Sequence, residues 1–213
     1  MGNAQSGGGV WPVKHGSTKA FQAMADKDAD VATATFGAGC YWGTDKYYAQ
    51  DMNVEKPGAV IATSVGFMGA PTCAPNPTYR QVCSGTTGHV EVCQVKYDPK
   101  HVTYEDLCMH FYTFHDPTTV NRQGNDSGTQ YASVVFVHDG DQRVTAERVK
   151  DKVQTLVSSG AINAFSGKTV STDIQDATTF YPAEEAHQKY LEKRPSGYCN
   201  HRKRFRWCDI LVK

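Results

Sequence analysis

The sequence predicts a single α+β domain built on a split βαβ (ferredoxin-like) core. Strand-like segments with period-two alternation and amphipathic helical segments follow one another along the chain. The length of 213 residues, of which 39% are hydrophobic and 21% charged, is sufficient for one substantial core. The predicted divisions are a flexible N-terminal segment (1–30), a main α/β domain (31–194) and a coil-rich C-terminal segment (195–213) that carries two cysteines.

The first half of the predicted core is a strand, a helix and a strand. Residues 1–30 are small and polar, with "SGGG" at 6–9 and a charged run at 26–30, so the fold is expected to begin near Val31. Residues 31–36 and 59–67 have the alternation typical of strands, and a helix is predicted to begin between them, near Cys40.

The second half repeats this order. Residues 90–97 and 131–138 are predicted strands around a helix at 104–114, which Thr103 and Asp106 begin with a capping-box pattern. Further helices are predicted at 141–158 and 182–193. In the last helix His187 shares a face with apolar residues and is expected to be a hydrogen-bonded core histidine.

The charge balance and the N-terminus limit the classes of partner. Twenty-two Lys and Arg offset twenty-two Asp and Glu, so neither nucleic acid nor a membrane is indicated as the main partner. The chain has no apolar run of transmembrane length and no secretory signal, which predicts a cytoplasmic protein. The opening "MGNAQS" fits the N-myristoylation pattern with Gly2 as acceptor, and membrane association is expected only if Gly2 is acylated.

Cys40 is the first candidate reactive residue. Seven cysteines are an odd number in a chain too long to need a disulfide framework, so free reactive thiols are expected. In "FGAGCYWG" (36–43) Cys40 lies between a strand and a helix N-terminus, where backbone amides favour a thiolate and are expected to lower its pKa. Tyr41 and Trp42 would form an apolar pocket beside it. The alternative is a small, buried packing cysteine.

Three glycines in the same stretch, Gly37, Gly39 and Gly43, are expected to let the backbone approach a ligand closely.

Glu91 is the second candidate. In strand register it shares one face with Cys93, Val95 and Tyr97, so it begins an apolar face. Burial there would raise the pKa of the carboxyl and make it a proton donor near neutral pH. A solvent-exposed glutamate at the edge of a strand fits the pattern equally well.

Four motifs then resemble one family. These are "GCYWG" (39–43), "NPTYRQVCSGTTGHVE" (76–91), "QGNDSGTQY" (123–131) and "GYC" (197–199). They occur in the order seen in class A peptide methionine sulfoxide reductases, and the resemblance spans residues 33–199. Four separated motifs in order are far more specific than one short pattern.

This resemblance implies thiol-dependent reduction of the S epimer of methionine sulfoxide, free or in proteins, with no metal or organic cofactor. By position, Cys40 resembles the nucleophile and Glu91 the acid that protonates the sulfoxide oxygen. Tyr79 and Tyr131 resemble donors of hydrogen bonds to that oxygen, and Asp126 a member of the same polar network. Tyr41 and Trp42 would hold the methyl group of the substrate. Tyr41 is a departure, because the family usually has phenylalanine there, and its hydroxyl would need a partner.

The C-terminal cysteines resemble resolving thiols. By resemblance Cys199 attacks the sulfenic acid on Cys40, and Cys208 then forms a Cys199–Cys208 bridge that thioredoxin reduces. Many family members have a glycine-rich loop between two such cysteines, whereas this chain has the basic "NHRKRFRW" (200–207). This run is interpreted in two ways, as a feature that activates the thiols and attracts an acidic reductant, or as a solvated tail. If Gly2 is acylated, it would also be the second signal for membrane attachment.

No role is predicted for the other thiols or the histidines. Cys93 and Cys108 lie on apolar faces as packing residues, and Cys73 and Cys83 lie in a turn-rich segment with no assigned step. None of the eight histidines has the spacing of a zinc site, so no metal is expected.

Two other functions remain open at this stage. A papain-like thiol hydrolase would pair Cys40 with His187, which lies at the required spacing of ~130 to 150 residues, and with Asn200 beyond it. A non-enzymatic redox switch would use disulfide exchange between Cys40 and Cys199 to change a partner surface.

Overall fold

A computed structural model describes Phe21 and residues 31–211. Its strands are β1 (Ala32–Ala38), β2 (Val60–Gly69), β3 (His89–Tyr97), β4 (Arg122–Gln123), β5 (Asp126–Ser127), β6 (Ser133–Val137), β7 (Asp173–Asp176) and β8 (Tyr181–Pro182). Its helices are α1 (Tyr41–Lys46), α2 (Met52–Glu55), α3 (Tyr79–Cys83), α4 (Tyr104–Phe114), α5 (Gly140–Ser158), α6 (Tyr190–Lys193) and α7 (Trp207–Leu211). A π-helical turn, Tyr47–Asp51, joins α1 to α2, and a 3-10 turn, Thr129–Tyr131, precedes β6.

The central sheet confirms the predicted split βαβ core. Six strands lie in the order β7-β6-β1-β3-β2-β8, and β4 pairs with β5 separately. β3 is antiparallel to both β1 and β2, so it lies between the two strands that α1 connects. β6 is antiparallel to β1 on its other side. The predicted strand at 131–138 is β6, which begins two residues later than predicted because Tyr131 belongs to the 3-10 turn.

Helix α4 has the predicted bounds because its local signals agree with its packing. The Thr103 and Asp106 side chains form the reciprocal capping box, and Leu107 and Phe111 are fully buried against the sheet. Phe111 lies 5.4 Å from the Phe36 ring of β1, centroid to centroid. Cys93 and Cys108 are also buried in this core, as predicted.

The predicted helix at 182–193 is wrong except for its last turn, α6. Tyr181–Pro182 forms β8 and pairs with β2 instead. The Gln188 side chain accepts a hydrogen bond from Val65 N (2.8 Å) and donates to Val65 O (2.8 Å), which extends the edge of β2. Lys189 has a φ of 54°, so the helix cannot begin before Tyr190.

The basic C-terminal run is not a solvated tail. Its backbone docks along α4, with Arg202 N donating to Phe114 O (3.3 Å) and Arg204 N donating to Thr113 O (2.7 Å). The indole of Trp207 donates to Met109 O (2.7 Å), which lies one turn closer to the N-terminus of the helix than Thr113.

Three basic side chains of the run form ion pairs within the protein, and Arg206 lies 3.0 Å from Asp209. Lys203 lies 2.7 Å from Glu55, and Arg204 lies 3.6 Å from Asp116. The run is therefore part of the folded unit between the two C-terminal cysteines.

Across Phe21 and residues 31–211, no helix is both long enough and apolar enough to cross a bilayer. Gly2 and almost all of the predicted flexible segment 1–30 lie outside the described residues, and the three predicted divisions of the chain remain predictions. Phe21 is buried, with the Lys96 ammonium 5.6 Å from its ring centroid.

Candidate active site

Cys40 lies where β1 passes into α1. Gly39 turns the chain with a φ of +89°, and Cys40 takes the N-cap position of α1 with φ −56° and ψ 123°. The residue is 7% exposed. The strand, turn and helix predicted around this cysteine are therefore present, and only a small part of the residue is exposed to solvent.

The glycines around Cys40 make room for the protein itself, not for a ligand as expected. A Cβ on Gly43 would lie 2.0 Å from Nδ1 of His201, and one on Gly39 would lie 2.5 Å from Cβ of Gln123. His201 also donates from Nε2 to Ala38 O at 2.6 Å. Gly43 therefore allows the C-terminal segment, and Gly39 allows β4, to pack directly on the turn that carries Cys40.

Glu91 is buried beside this turn. The backbone N of Tyr41 donates to its Oε2 at 3.1 Å, and the residue is only 1% exposed. Burial, together with the nearby carboxylate of Asp126, raises the pKa of Glu91 to about 8. The buried interpretation of Glu91 is therefore correct, and at neutral pH the carboxyl keeps its proton in most molecules.

The expected depression of the Cys40 pKa is wrong in direction. The amides of Trp42 and Gly43 do favour the thiolate, as the helix N-terminus predicted. Burial of the sulfur and then the neighbouring Glu91 outweigh them and raise the pKa well above its ordinary value. Desolvation acts on the whole charge of a thiolate, whereas each amide supplies one hydrogen bond, so the resting site holds a neutral thiol.

Aromatic rings form one wall of the site. The Trp42 ring stacks on Tyr190 at 3.8 Å between centroids, and His187 lies 5.6 Å from Trp42 and 4.5 Å from Tyr79. Tyr41 is 1% exposed, and its hydroxyl has no hydrogen-bond partner among the described residues. The wall is thus largely apolar, as predicted for Tyr41 and Trp42.

His187 is not the hydrogen-bonded core histidine that the helical pattern indicated. It is half-buried, stacked among these rings, and its Nδ1 bonds to none of the described residues. Burial lowers its pKa, so it contributes a neutral ring.

Tyr79 and Tyr131 lie close to Glu91, as the motifs implied. Burial and the Glu91 charge raise the pKa of both phenols, so both remain hydroxyl donors at neutral pH. Cys83, to which no role was assigned, lies beside Tyr79 and contributes to the raised pKa of that phenol; burial, and to a smaller extent the Glu91 charge, raises the pKa of the Cys83 thiol. The turn-rich segment therefore contributes a third cysteine near the site.

Asp126 anchors the residues on either side of Cys199. The Tyr198 hydroxyl donates to Asp126 Oδ1 at 2.9 Å, and the Asn200 amide donates to Oδ2 at 2.8 Å. Cys199 is half-buried, and its thiol points to His201 O at 3.8 Å. Asp126 thus joins the polar network around Glu91 to the C-terminal segment. Tyr198 lies in the "GYC" motif and Asn200 follows it, but the resemblance to the reductase family assigned no role to either residue.

Cys208 is not brought to this site. It is exposed on α7, with its sulfur 3.6 Å from Asp209. All seven cysteines are free thiols, and within the described ranges no group of three His, Cys, Asp or Glu side chains is placed to hold a metal ion.

Comparison with known proteins identifies the family. The family model for peptide methionine sulfoxide reductase matches residues 32–209. The chain belongs to this family. A member from Methanoculleus marisnigri, peptide methionine sulfoxide reductase MsrA, is 47% identical over 172 residues, which cover 81% of this chain and 96% of the relative. The chain is therefore an oxidoreductase of the methionine sulfoxide reductase family.

Solved structures support the family assignment. Mxr1 from Saccharomyces cerevisiae in reduced form is 34% identical, with a TM-score of 0.73 over 84% of this chain and 95% of that one. Methionine sulfoxide reductase A of Corynebacterium diphtheriae is 37% identical, with a TM-score of 0.66 over 81% and 79% of the two chains. A structure of Mxr1 in complex with Trx2 has the same fold at 21% identity, with a TM-score of 0.54 over 84% and 94% of the two chains.

The thiol hydrolase alternative loses its support at the same point. A methionine sulfoxide reductase has no need of a Cys-His-Asn relay, and Asn200 donates to Asp126 and to Gln123 O, not to His187. His187 lies in the aromatic wall beside Cys40, whereas Asn200 is bonded to Asp126, so the histidine and the asparagine of the proposed relay do not meet.

Proposed function

We propose that this protein reduces the S epimer of methionine sulfoxide, free or in proteins, with Cys40 as nucleophile and Glu91 as acid. The observation that supports this most directly is that Cys40, at the β1–α1 turn, and Glu91, on β3, are both buried and lie next to each other. The backbone amide of Tyr41, next to Cys40, donates to the Glu91 carboxyl, and burial keeps that carboxyl mainly protonated at neutral pH. A thiol beside a neutral acid is the arrangement that sulfoxide reduction requires.

In the proposed reaction the Cys40 sulfur attacks the sulfoxide sulfur while Glu91 donates a proton to the sulfoxide oxygen. The hydroxyl group formed in this way then moves from the substrate sulfur to the Cys40 sulfur. The S–O bond and the transient bond between the two sulfurs break, methionine leaves, and Cys40 carries a sulfenic acid. Cys40 is thus oxidised by two electrons, and the proton lost from its thiol replaces the one that Glu91 gave. Tyr79 and Tyr131 donate hydrogen bonds to the oxygen, worth roughly 2.7 to 4 kcal/mol per well-placed donor. Tyr41 and Trp42 hold the methyl group.

We propose that Cys199 and Cys208 return Cys40 to its thiol. Cys199 condenses with the sulfenic acid to form a Cys40–Cys199 disulfide and water. Cys208 attacks this bridge at Cys199, which releases Cys40 and leaves a Cys199–Cys208 disulfide. The dithiol of a thioredoxin-type protein then reduces that disulfide, and Mxr1 in complex with Trx2 shows that a protein of this fold binds such a partner.

Chiral chromatography of a racemic methionine sulfoxide peptide, incubated with the protein and dithiothreitol, tests the reaction. We expect loss of the S epimer alone, no loss with Cys40→Ser, and normal loss with Cys73→Ser as a matched cysteine control. If both epimers persist with folded, reduced protein, the proposed reaction is wrong, and the non-enzymatic redox switch is the hypothesis to pursue.

The recycling steps are tested separately with thioredoxin as the only reductant. Cys199→Ser is expected to form one methionine per enzyme and then stop, because the sulfenic acid has no resolving thiol. Sustained turnover by this variant would contradict the role proposed for Cys199.

A further inference from the structure

Three arginines converge on a cavity that none of the proposed catalytic residues lines. The cavity has a volume of about 460 Å³ and lies between the segment of β4 and the C-terminal run. Arg122 reaches it from β4, and Arg202 and Arg204 reach it from the C-terminal run, three and five residues after Cys199. Volumes of this size are typical of small-molecule sites.

Two of these arginines have charges that the protein leaves uncompensated. Arg122 uses only its Nε, which donates to Gly124 O at 2.9 Å. Arg202 is exposed, and only its backbone N is engaged. Neither guanidinium forms an ion pair with any carboxylate in the part of the chain that the structure describes.

The third arginine is held in place by the protein. The Arg204 side chain is only 11% exposed, and its Nη1 donates to Ala164 O at 2.9 Å. Nη1 also lies 3.6 Å from Asp116, and Nη2 lies 3.5 Å from the Gln123 side-chain oxygen. Its Nε is buried and bonds to no described residue, so one charged donor remains unsatisfied.

Asp116, the single carboxylate among the residues that line the cavity, offsets one of the three guanidinium charges. Thr118 donates to one of its oxygens from both its N and its hydroxyl, and Ser166 donates to the other in the same way. These four donors and Arg204 already satisfy the carboxylate. The ionisable groups of the cavity therefore carry a net charge of about +2, from three guanidinium groups and one carboxylate.

We propose that this cavity binds a phosphate group. Guanidinium groups match phosphate in geometry and charge, and three that converge on one cavity with a single satisfied carboxylate favour an oxyanion. Phe165 and Ala164 add apolar surface to the same cavity, which suits the organic part of a phosphate ester. The bound group would bridge β4 to the run between Cys199 and Cys208. The proposal does not depend on the reaction proposed for Cys40.

Isothermal titration calorimetry on the full chain tests this with two probes, inorganic phosphate and phenyl phosphate, at an ionic strength held constant with chloride. We expect saturable binding of one ion per protein. Tighter binding of phenyl phosphate identifies an organic phosphate as the ligand, and tighter or equal binding of inorganic phosphate identifies the free ion. No saturable binding of either probe would overturn the proposal.

Variants assign the binding to the cavity. The double variant Arg122→Gln/Arg202→Gln is expected to weaken binding by on the order of tenfold or more, because each charge-assisted hydrogen bond is lost. Lys150→Gln, which removes a positive charge from α5 outside the cavity, should leave the affinity unchanged. Equal losses in the two variants would show only a general charge effect and would refute the site. The Nε–H resonance of Arg204 provides a second readout, since phosphate should shift it in wild-type protein.

Discussion

The Glu91 carboxyl couples the stability of the protein to pH. Its pKa is raised to about 8 in the folded protein, against an ordinary value of 4.5, because the carboxyl is buried. The folded state therefore holds its proton more tightly than the unfolded state. Protonated Glu91 therefore contributes to the free energy of unfolding. This contribution is fully present below pH 4.5 and is lost as the pH rises to about 8, because ionised Glu91 is desolvated in the folded protein.

We predict that Glu91→Gln removes this pH dependence. Wild-type protein should lose up to about 1.4 kcal/mol of unfolding free energy for each pH unit in this window, and the neutral amide should not. Urea denaturation at pH 5, 6.5 and 8 measures the difference, with exposed Glu184→Gln as the matched control. An unchanged slope in Glu91→Gln would show that another group carries the dependence.

The absence of a side chain at Gly43 lets the His201 ring of the C-terminal segment pack against α1. We predict that Gly43→Ala destabilises the protein by about 1 to 3 kcal/mol, because the new Cβ would overlap the buried ring of His201. Gly140→Ala is the control, since its Cβ would have no atom within 4 Å. Thermal and urea denaturation of both variants measure the effect, and equal stabilities would contradict the packing role of Gly43.

At the scale of elements, the extension of the β2 edge depends on one buried side chain. Gln188 bonds to both backbone groups of Val65 and also donates to Ala183 O at 2.9 Å. These bonds hold the segment 183–193, which includes α6 and the Tyr190 ring stacked on Trp42.

We therefore predict that Gln188→Ala costs about 1 to 3 kcal/mol, since it leaves buried backbone groups without partners. Hydrogen exchange in residues 183–193 should be faster, and the KM for a sulfoxide peptide should rise because the Trp42 wall loses its support. Exposed Glu184→Ala should change neither quantity. Unchanged exchange in Gln188→Ala would mean that β8 alone holds the segment.

The elements also differ in how well local pattern predicts them. Helix α4 was predicted with its correct bounds, because its capping box and its apolar face are both local features that agree. The segment 182–193 has a helical pattern as well, but pairing with β2 satisfies its backbone at an edge that only the assembled sheet provides.

At the scale of the whole molecule, the C-terminal run separates the two proposed resolving cysteines. Its docking points on α4 extend from Phe114 to Met109, five residues or ~7.5 Å along the helix. Cys199 and Cys208 lie beyond the two ends of that docked stretch. A disulfide requires Cα atoms within ~7 Å, so we infer that part of the run must leave α4 before the bridge forms.

We predict that oxidation to the Cys199–Cys208 disulfide releases part of this run. Amides of residues 202–208, including that of Arg204, should exchange faster in oxidised than in reduced protein. Mass spectrometry of exchanged peptides measures the change, and Cys208→Ser treated with the same oxidant is the control. Equal protection in oxidised and reduced wild-type protein would show that the bridge forms without undocking.

The amino-acid sequence alone predicts the four strands of the split βαβ core and the helices near Cys40, at 104–114 and at 141–158, together with the candidate residues Cys40 and Glu91 and the family. These follow from periodicity, capping and local motif, which the chain carries within a few residues of each site. The burial of Glu91, the raised pKa of Cys40 and the docking of the basic run on α4 become evident from the folded structure. Burial and Coulomb energies are sums over neighbours from distant parts of the chain, so no local pattern contains them.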